Sequence, residues 1–139
     1  MSFVAGKTGV FKLDNAAGSL IDLSAYIDNV DMPRDAQLLE TTTLGATAKT
    51  YITGFKNATI ALKGHWDGGS AAVDEHMAAI LGHANTQTFE LGPEGSTSGK
   101  VKYTGEARLT KYSCSTPVSG VVDWSADLQV SGDVTRTTW

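Results

Sequence analysis

The chain has 139 residues, of which 41% are hydrophobic and 19% charged, with 15 glycines and a formal net charge of −4. One ordinary domain fits that length, and low charge with frequent Gly, Thr and Ser favours strands and turns over a helical bundle. The absence of a basic patch, a cysteine pair, a signal-peptide core and a long apolar run argues against tight unspecific DNA binding, a disulfide scaffold, secretion and a membrane-spanning helix.

Residues 1–8 precede any pattern and are read as an N-terminal arm of a single domain, 1–139. A short strand is expected over 9–13. Asn15-Ala16-Ala17-Gly18 then reads as a turn into a second strand over 20–27. Residues 29–43 suggest a long irregular strand, and Pro33 inside it demands an edge or a bulge. Residues 44–57, rich in Thr, Ala and Gly, show no period and are expected to form a long loop.

Alternation becomes clear at 58–66, where Ala58, Ile60, Leu62 and Trp66 share one face and Thr59, Lys63 and His65 the other. A helix is expected over about 70–82. Ser70 is placed as N-cap, Asp74 and Glu75 in the first turn, Val73, Met77, Ile80 and Leu81 on one face, and Gly82 as the stop. Strands follow at 88–91 and 101–111, separated by a Gly/Pro/Ser loop at 92–99.

The most regular strand comes last. Val122, Trp124, Ala126, Leu128 and Val130 alternate with Asp123, Ser125, Asp127, Gln129 and Ser131. One face is apolar and the other polar and acidic, which is the pattern of a half-buried antiparallel sheet. Ile60, Leu62, Trp66, Met77, Trp124 and Leu128 are the expected core.

Sites of chemistry are hard to find. His65, His76 and His83 match no zinc spacing and are read as surface residues. Cys114 sits in Tyr112-Ser113-Cys114-Ser115-Thr116-Pro117, with no motif supplying a base. Gly68-Gly69-Ser70 lacks the lysine of a phosphate loop and reads as a turn. Asp123 and Asp127 lie roughly 13 Å apart along a strand, too wide for a glycosidase pair. They fit a solvated face or the lining of a wet channel. No enzyme, metal or cofactor is expected.

The order of several short segments carries a resemblance. Asp22-Leu23-Ser24-Ala25-Tyr26-Ile27 is followed by Asn29-Val30-Asp31-Met32-Pro33-Arg34, then by Glu40-Thr41-Thr42-Thr43-Leu44-Gly45 and Ala48-Lys49-Thr50-Tyr51. Gly54-Phe55-Lys56-Asn57 and the run from Ala58 through Trp66-Asp67 complete the series. Over about residues 9–92 this resembles the tail tube (major tail) proteins of long-tailed bacteriophages, particularly those of actinobacterial phages and prophages.

The resemblance implies a mainly β fold, a two-sheet sandwich or barrel with one flanking helix. It implies stacked hexameric rings around a lumen through which double-stranded DNA passes, with loops and arms joining one ring to the next. It also implies a virion location after assembly in the host cytoplasm, tape measure and terminator proteins as further partners, and no membrane. On that footing Asp123, Ser125, Asp127 and Gln129 are candidates for the lumen lining, with Lys102 and Arg108 as possible positive intruders. Thr42, Thr43, Lys49 and Tyr51 are candidates for an inter-ring loop. Two other readings remain: a tail terminator or capsid decoration protein, and a carbohydrate-binding sandwich using Trp66, Trp124 and Trp139 as a platform.

Overall fold

The computed structural model describes residues 3–139. Alternating segments form strands and the one helical pattern forms a helix. In chain order these are β1 (Val10–Asp14), β2 (Leu20–Asp22), β3 (Ile27–Asp31), β4 (Arg34–Glu40), β5 (Tyr51–His65), α1 (Val73–Ile80), β6 (Gln87–Gly92), β7 (Val101–Ser115) and β8 (Asp123–Thr138). Short 3-10 turns lie at Gly6–Thr8 and Ser24–Tyr26.

The fold is mainly β, with a single helix among the described residues. Hydrogen bonding joins all eight strands into one antiparallel sheet, where the sequence reading divides them between two packed sheets. The order is β2-β1-β6-β7-β8-β5-β3, with β4 pairing β5 alone. Seven strands laid flat at about 4.8 Å spacing would put β2 and β3 about 29 Å apart. Yet the chain passes from Asp22 at the end of β2 to Ile27 at the start of β3 in five steps, a reach of about 17 Å at most. The sheet must therefore curl until its two edges meet.

The connection 23–26 between these two edges is bonded to β1 on one side and to β8 on the other. Leu23 N–H donates to the Phe11 carbonyl at 3.0 Å, and Phe11 N–H donates to Ser24 Oγ at 3.0 Å. From inside, the Trp124 indole donates to the Tyr26 carbonyl at 3.0 Å. Gly64 of β5 lies so close to the seam that a Cβ there would run into the Tyr26 carbonyl oxygen and the Ile27 backbone. The curled sheet encloses Phe11, Leu13, Ile60, Leu62, Phe89, Leu109, Trp124 and Leu128, and Val73, Met77 and Ile80 of α1 complete the core. The six core residues read from the sequence all join it, Trp66 as a partly buried member.

Several boundaries move. Ser70 does not cap the helix, because Ala71 takes a left-handed φ of 59° and ends the approach there. The Asp67 carbonyl receives the Asp74 N–H instead, and the Glu75 carboxylate receives the Ala71 N–H. Gly82, at φ 74°, stops the helix as expected. His76 is buried, not a surface residue, and its Nε2–H donates to the Asp14 carbonyl at 2.9 Å. Leu81, expected on the buried face, is exposed. Asn15 makes its turn by accepting from the N–H groups of Ala17 and Ser19.

The largest difference concerns the expected loop 44–57. Residues 51–57 are the outer half of β5, paired from Tyr51↔Glu40 to Asn57↔Asp35 with β4, so the connection is 41–50. Both strands of this hairpin stand clear of the core, so neither face is forced to be polar or apolar and the alternation that marks a half-buried strand is lost.

Candidate assembly and channel surfaces

The face of β5, β8 and β7 that turns away from the core carries no helix. Along β8 it presents Asp123, Ser125, Asp127 and Gln129, all exposed, alternating with buried Trp124, Ala126, Leu128 and Val130. Register extends that face sideways, because directly paired residues project to the same side. One row reads Lys111, Asp127, Ala61, Asp31; the next reads Ser113, Ser125, Lys63, Asn29; a third reads Ser115, Asp123, His65. The lining candidates therefore sit in a mixed surface where three carboxylates meet two ammonium groups. His65 Nδ1 lies 3.1 Å from Asp123 Oδ1, in a fully wet pair of small energetic weight. Gln129 donates to Asn57 Oδ1 and to the Ala58 carbonyl, tying β8 to the point where β5 departs.

Both cations that threatened this face are engaged, although Arg108, paired with Gln129, shares its side of the sheet. Lys102 pairs with Glu90 at 3.1 Å, both largely buried, and lies 5.0 Å from the Trp139 ring. Arg108 Nη1 donates to the His83 and Ala84 carbonyls, just past the end of α1, where a cation also meets the negative end of the helix dipole. Glu106 is likewise engaged, accepting from the Thr86 and Thr88 hydroxyls.

A bulge explains how β7 serves both sides. Thr110 is the extra residue between Leu109↔Leu128 and Lys111↔Asp127. It turns Lys111 outward and puts Tyr112 on the core side, opposite Ala126. Tyr112 Oη and Trp66 Nε1 both donate to Asp74 Oδ1, at 2.8 and 3.1 Å, which pins α1 to β5 and β7. Burial pushes the Tyr112 hydroxyl well above its ordinary range, and the Asp74 charge adds to the effect. This cluster is a helix clamp.

The second surface is the β4–β5 hairpin, which projects as an arm. Leu38, Leu39, Tyr51, Ile52 and Phe55 are all exposed on it, and Leu44 stands at its tip. Leu39 pairs with Ile52 on one face; Leu38 pairs with Thr53, and Glu40 with Tyr51, on the other. Gln37 lies across Gly54, where a Cβ would come within 2.7 Å of Gln37 Oε1, and Phe55 N–H donates to that oxygen. Of the loop candidates, Thr42 and Thr43 lie in the connection, where Thr42 Oγ1 accepts from Thr50 N–H. Lys49 sits 3.8 Å from Glu40, and Tyr51 begins β5. The sequence reading passed over Leu38, Leu39, Ile52 and Phe55. Their signal was present as apolar residues inside a stretch nearly free of charge.

Among the described residues no His/Cys/Asp/Glu cluster has metal-binding geometry, and no helix is long and apolar enough to cross a membrane. The tryptophans make no sugar platform. Trp124 is buried, and the Trp66 and Trp124 indoles are bonded inside.

A family model for the phage tail tube protein matches residues 4–136. The chain belongs to the phage tail tube protein family. It is a structural protein of the virion tail. Solved structures agree in fold with this tail tube protein. The tail of an empty gene transfer agent particle, refined with helical and C6 symmetry, superposes with a TM-score of 0.81 at 16% identity, covering 98% of this chain and 100% of that one. The SPP1 tail tube gives 0.79 at 14% identity over 99% and 80%. The sheath–tube complex of an extracellular contractile injection system gives 0.72 at 10% identity over 99% and 93%. No curated protein sequence matches the chain.

Proposed function

We propose that this tail tube protein assembles into hexameric rings, that the rings stack into a tube, and that the tube conducts double-stranded DNA without binding it. Neighbouring copies extend one sheet around the ring, because β4 and the outer half of β8 leave strand edges that invite pairing. The helix-free face of β5, β8 and β7 lines the lumen, with Asp123, Ser125, Asp127 and Gln129 on its central strand. The β4–β5 arm, including Thr42, Thr43, Lys49 and Tyr51, joins one ring to the next. A tape measure protein inside and a terminator at the end are the expected partners, with assembly in the host cytoplasm. Catalysis and cofactors have no part in this role.

One observation carries the reading. The broad helix-free face of a tail tube family member mixes the carboxylates of Asp31, Asp123 and Asp127 with the cations of Lys63, Lys111 and Arg108, and the Arg108 guanidinium is already bonded to the His83 and Ala84 carbonyls. Each cation that neutralises a phosphate releases counterions and favours binding. A wall with balanced charge gives a sliding polyanion little to hold. Negative-stain microscopy of concentrated protein is the test. Tubes with a central channel are expected; a compact monomer at all concentrations would overturn the proposal.

A further inference from the structure

The outer half of β8 has little to hold it. β5 stays paired with β8 only as far as Thr59↔Gln129, so one edge of residues 131–138 has no strand beside it among the described residues. The other edge meets β7 through a bulge. Residues 132–134 lie opposite Gly105 alone, and Gly132 takes a left-handed φ of 95°. Beyond the bulge Thr135, Arg136, Thr137 and Thr138 are exposed, and Val134 is only half-buried. A strand end with so little buried surface frays unless something else fixes it.

Trp139 supplies that anchor. Its N–H donates to the Lys100 carbonyl at 3.0 Å, and its carbonyl accepts from the Gly99 N–H at 3.2 Å. The ring reaches back over the sheet face that carries Lys12, the side opposite buried Phe11 and Leu13. Gly92 of β6 forms its floor, where a Cβ would come within 2.8 Å of Trp139 Nε1. The Lys12 ammonium of β1 lies 5.1 Å from the ring centroid, and the Lys102 ammonium of β7 lies 5.0 Å from it. One side chain thus fastens the end of β8 to three other strands, the farthest about 14 Å away at three strand spacings. The contact carries a cost, because the indole Nε1–H is buried with no acceptor. Stacking on Gly92 and the two cation–ring contacts must outweigh it.

The open edge of 131–138 is the one that the ring reading above pairs with a neighbouring copy. Resting on that reading, we infer that Trp139 is a positioning residue for assembly: its clasp on Lys12, Gly92 and Lys102 holds 131–138 as a preformed edge strand. Pairing with a neighbour then costs little ordering entropy. Without the clasp the segment is ordered in the same step that joins two copies, and association weakens. The fold itself does not depend on the clasp, because the core lies on the other face and includes no residue of 135–139.

The test uses the full chain with Trp139→Ala and Trp139→Phe. Trp139→Ala is expected to speed amide exchange in 135–138 at least about tenfold and to leave exchange in 124–130 unchanged. Its thermal midpoint should stay close to that of wild type. The concentration it needs for ring and tube growth should rise at least about tenfold, read by sedimentation and microscopy. Trp139→Phe keeps an aromatic face over Gly92 and removes the unpaired N–H, so growth should return to within about threefold of wild type. Growth of Trp139→Ala at the wild-type concentration would overturn the assembly role, and unchanged exchange in 135–138 would overturn the clasp. Faster exchange across 124–130 with a lowered midpoint would make Trp139 a general stabiliser and refute the inference. A phenylalanine variant as poor as the alanine one would show that the aromatic contact is not what positions the edge. Failure of wild type itself to form rings would remove the ring reading, and the exchange comparison would still decide whether the clasp exists.

Discussion

Leu128 offers the most direct check on which face of β8 points inward. It is 1% exposed and is paired with Ile60 on one side and Leu109 on the other, both buried. Leu128→Ala removes three carbons, worth about 2.4 kcal/mol in transfer free energy at ~0.8 kcal/mol each. Ile60 and Leu109 belong to strands whose register fixes their positions, so the cavity collapses only partly and adds about 1–2 kcal/mol. The expected loss is about 3–4 kcal/mol, which lowers the melting temperature of a domain this size by roughly 10 °C. Reversible urea or thermal unfolding, at concentrations where the chain is monomeric, measures it. Ser125→Ala, on the same strand but the opposite face, should stay within about 0.5 kcal/mol. A loss below about 1 kcal/mol for Leu128→Ala would mean that the inward and outward faces of β8 are interchanged.

Gly64→Ala should cost at least ~2–3 kcal/mol, because the new Cβ meets backbone at the seam and backbone cannot swing aside; a denaturation midpoint equal to wild type would refute the tight closure. Burial holds His76 below its ordinary value of 6.5, outweighing the upward pull of the Asp14 carbonyl and carboxylate. The unfolded chain then takes up a proton first, so stability is full above that value and falls as pH drops below it. His76→Gln should flatten the slope of stability between about pH 7 and 5; an unchanged slope would assign the acid sensitivity to other groups. Asp123→Lys with Asp127→Lys should leave folding nearly intact, since exposed charge changes cost little. In virions the same pair should make DNA delivery slow and dependent on salt, because a basic wall holds phosphates. Tubes of normal length with normal delivery would show that these carboxylates do not line the path.

The sequence showed the inner half of the fold more clearly than its periphery. Alternation at 58–66 and 123–130 marked the central strands because one face there is buried and the other wet, and Gly82 marked the helix end through its left-handed conformation. The outer half of β5 was hidden because exposure on both faces removes the period that signals a strand. Two other misses were geometric. The Thr110 bulge reverses the faces beyond it, so Tyr112 gave no sign that it reaches Asp74. His76 occupies the helix position between Val73 and Ile80 that an apolar residue would normally take, and its bond to the Asp14 carbonyl of a distant strand accounts for its burial. On the face proposed to line the lumen, the positions of Asp123 and Asp127 could be read along one strand. Lys63, Lys111 and Asp31 could not be placed beside them, because cross-strand register is a property of the fold.

β5 also has a mechanical meaning. Its backbone passes without interruption from the projecting hairpin, through the packed segment around Ile60 and Leu62, to the far end at His65. A pull on the arm would load the seven pairs between β5 and β8, from Thr59↔Gln129 to His65↔Asp123, along the strand direction. Those pairs would share the force in parallel, as in a sheared joint, and would not open one after another like a zipper. Tension along a row of such molecules would then be carried mainly by covalent chain and sheared hydrogen bonds. Such a filament would stretch little before it broke.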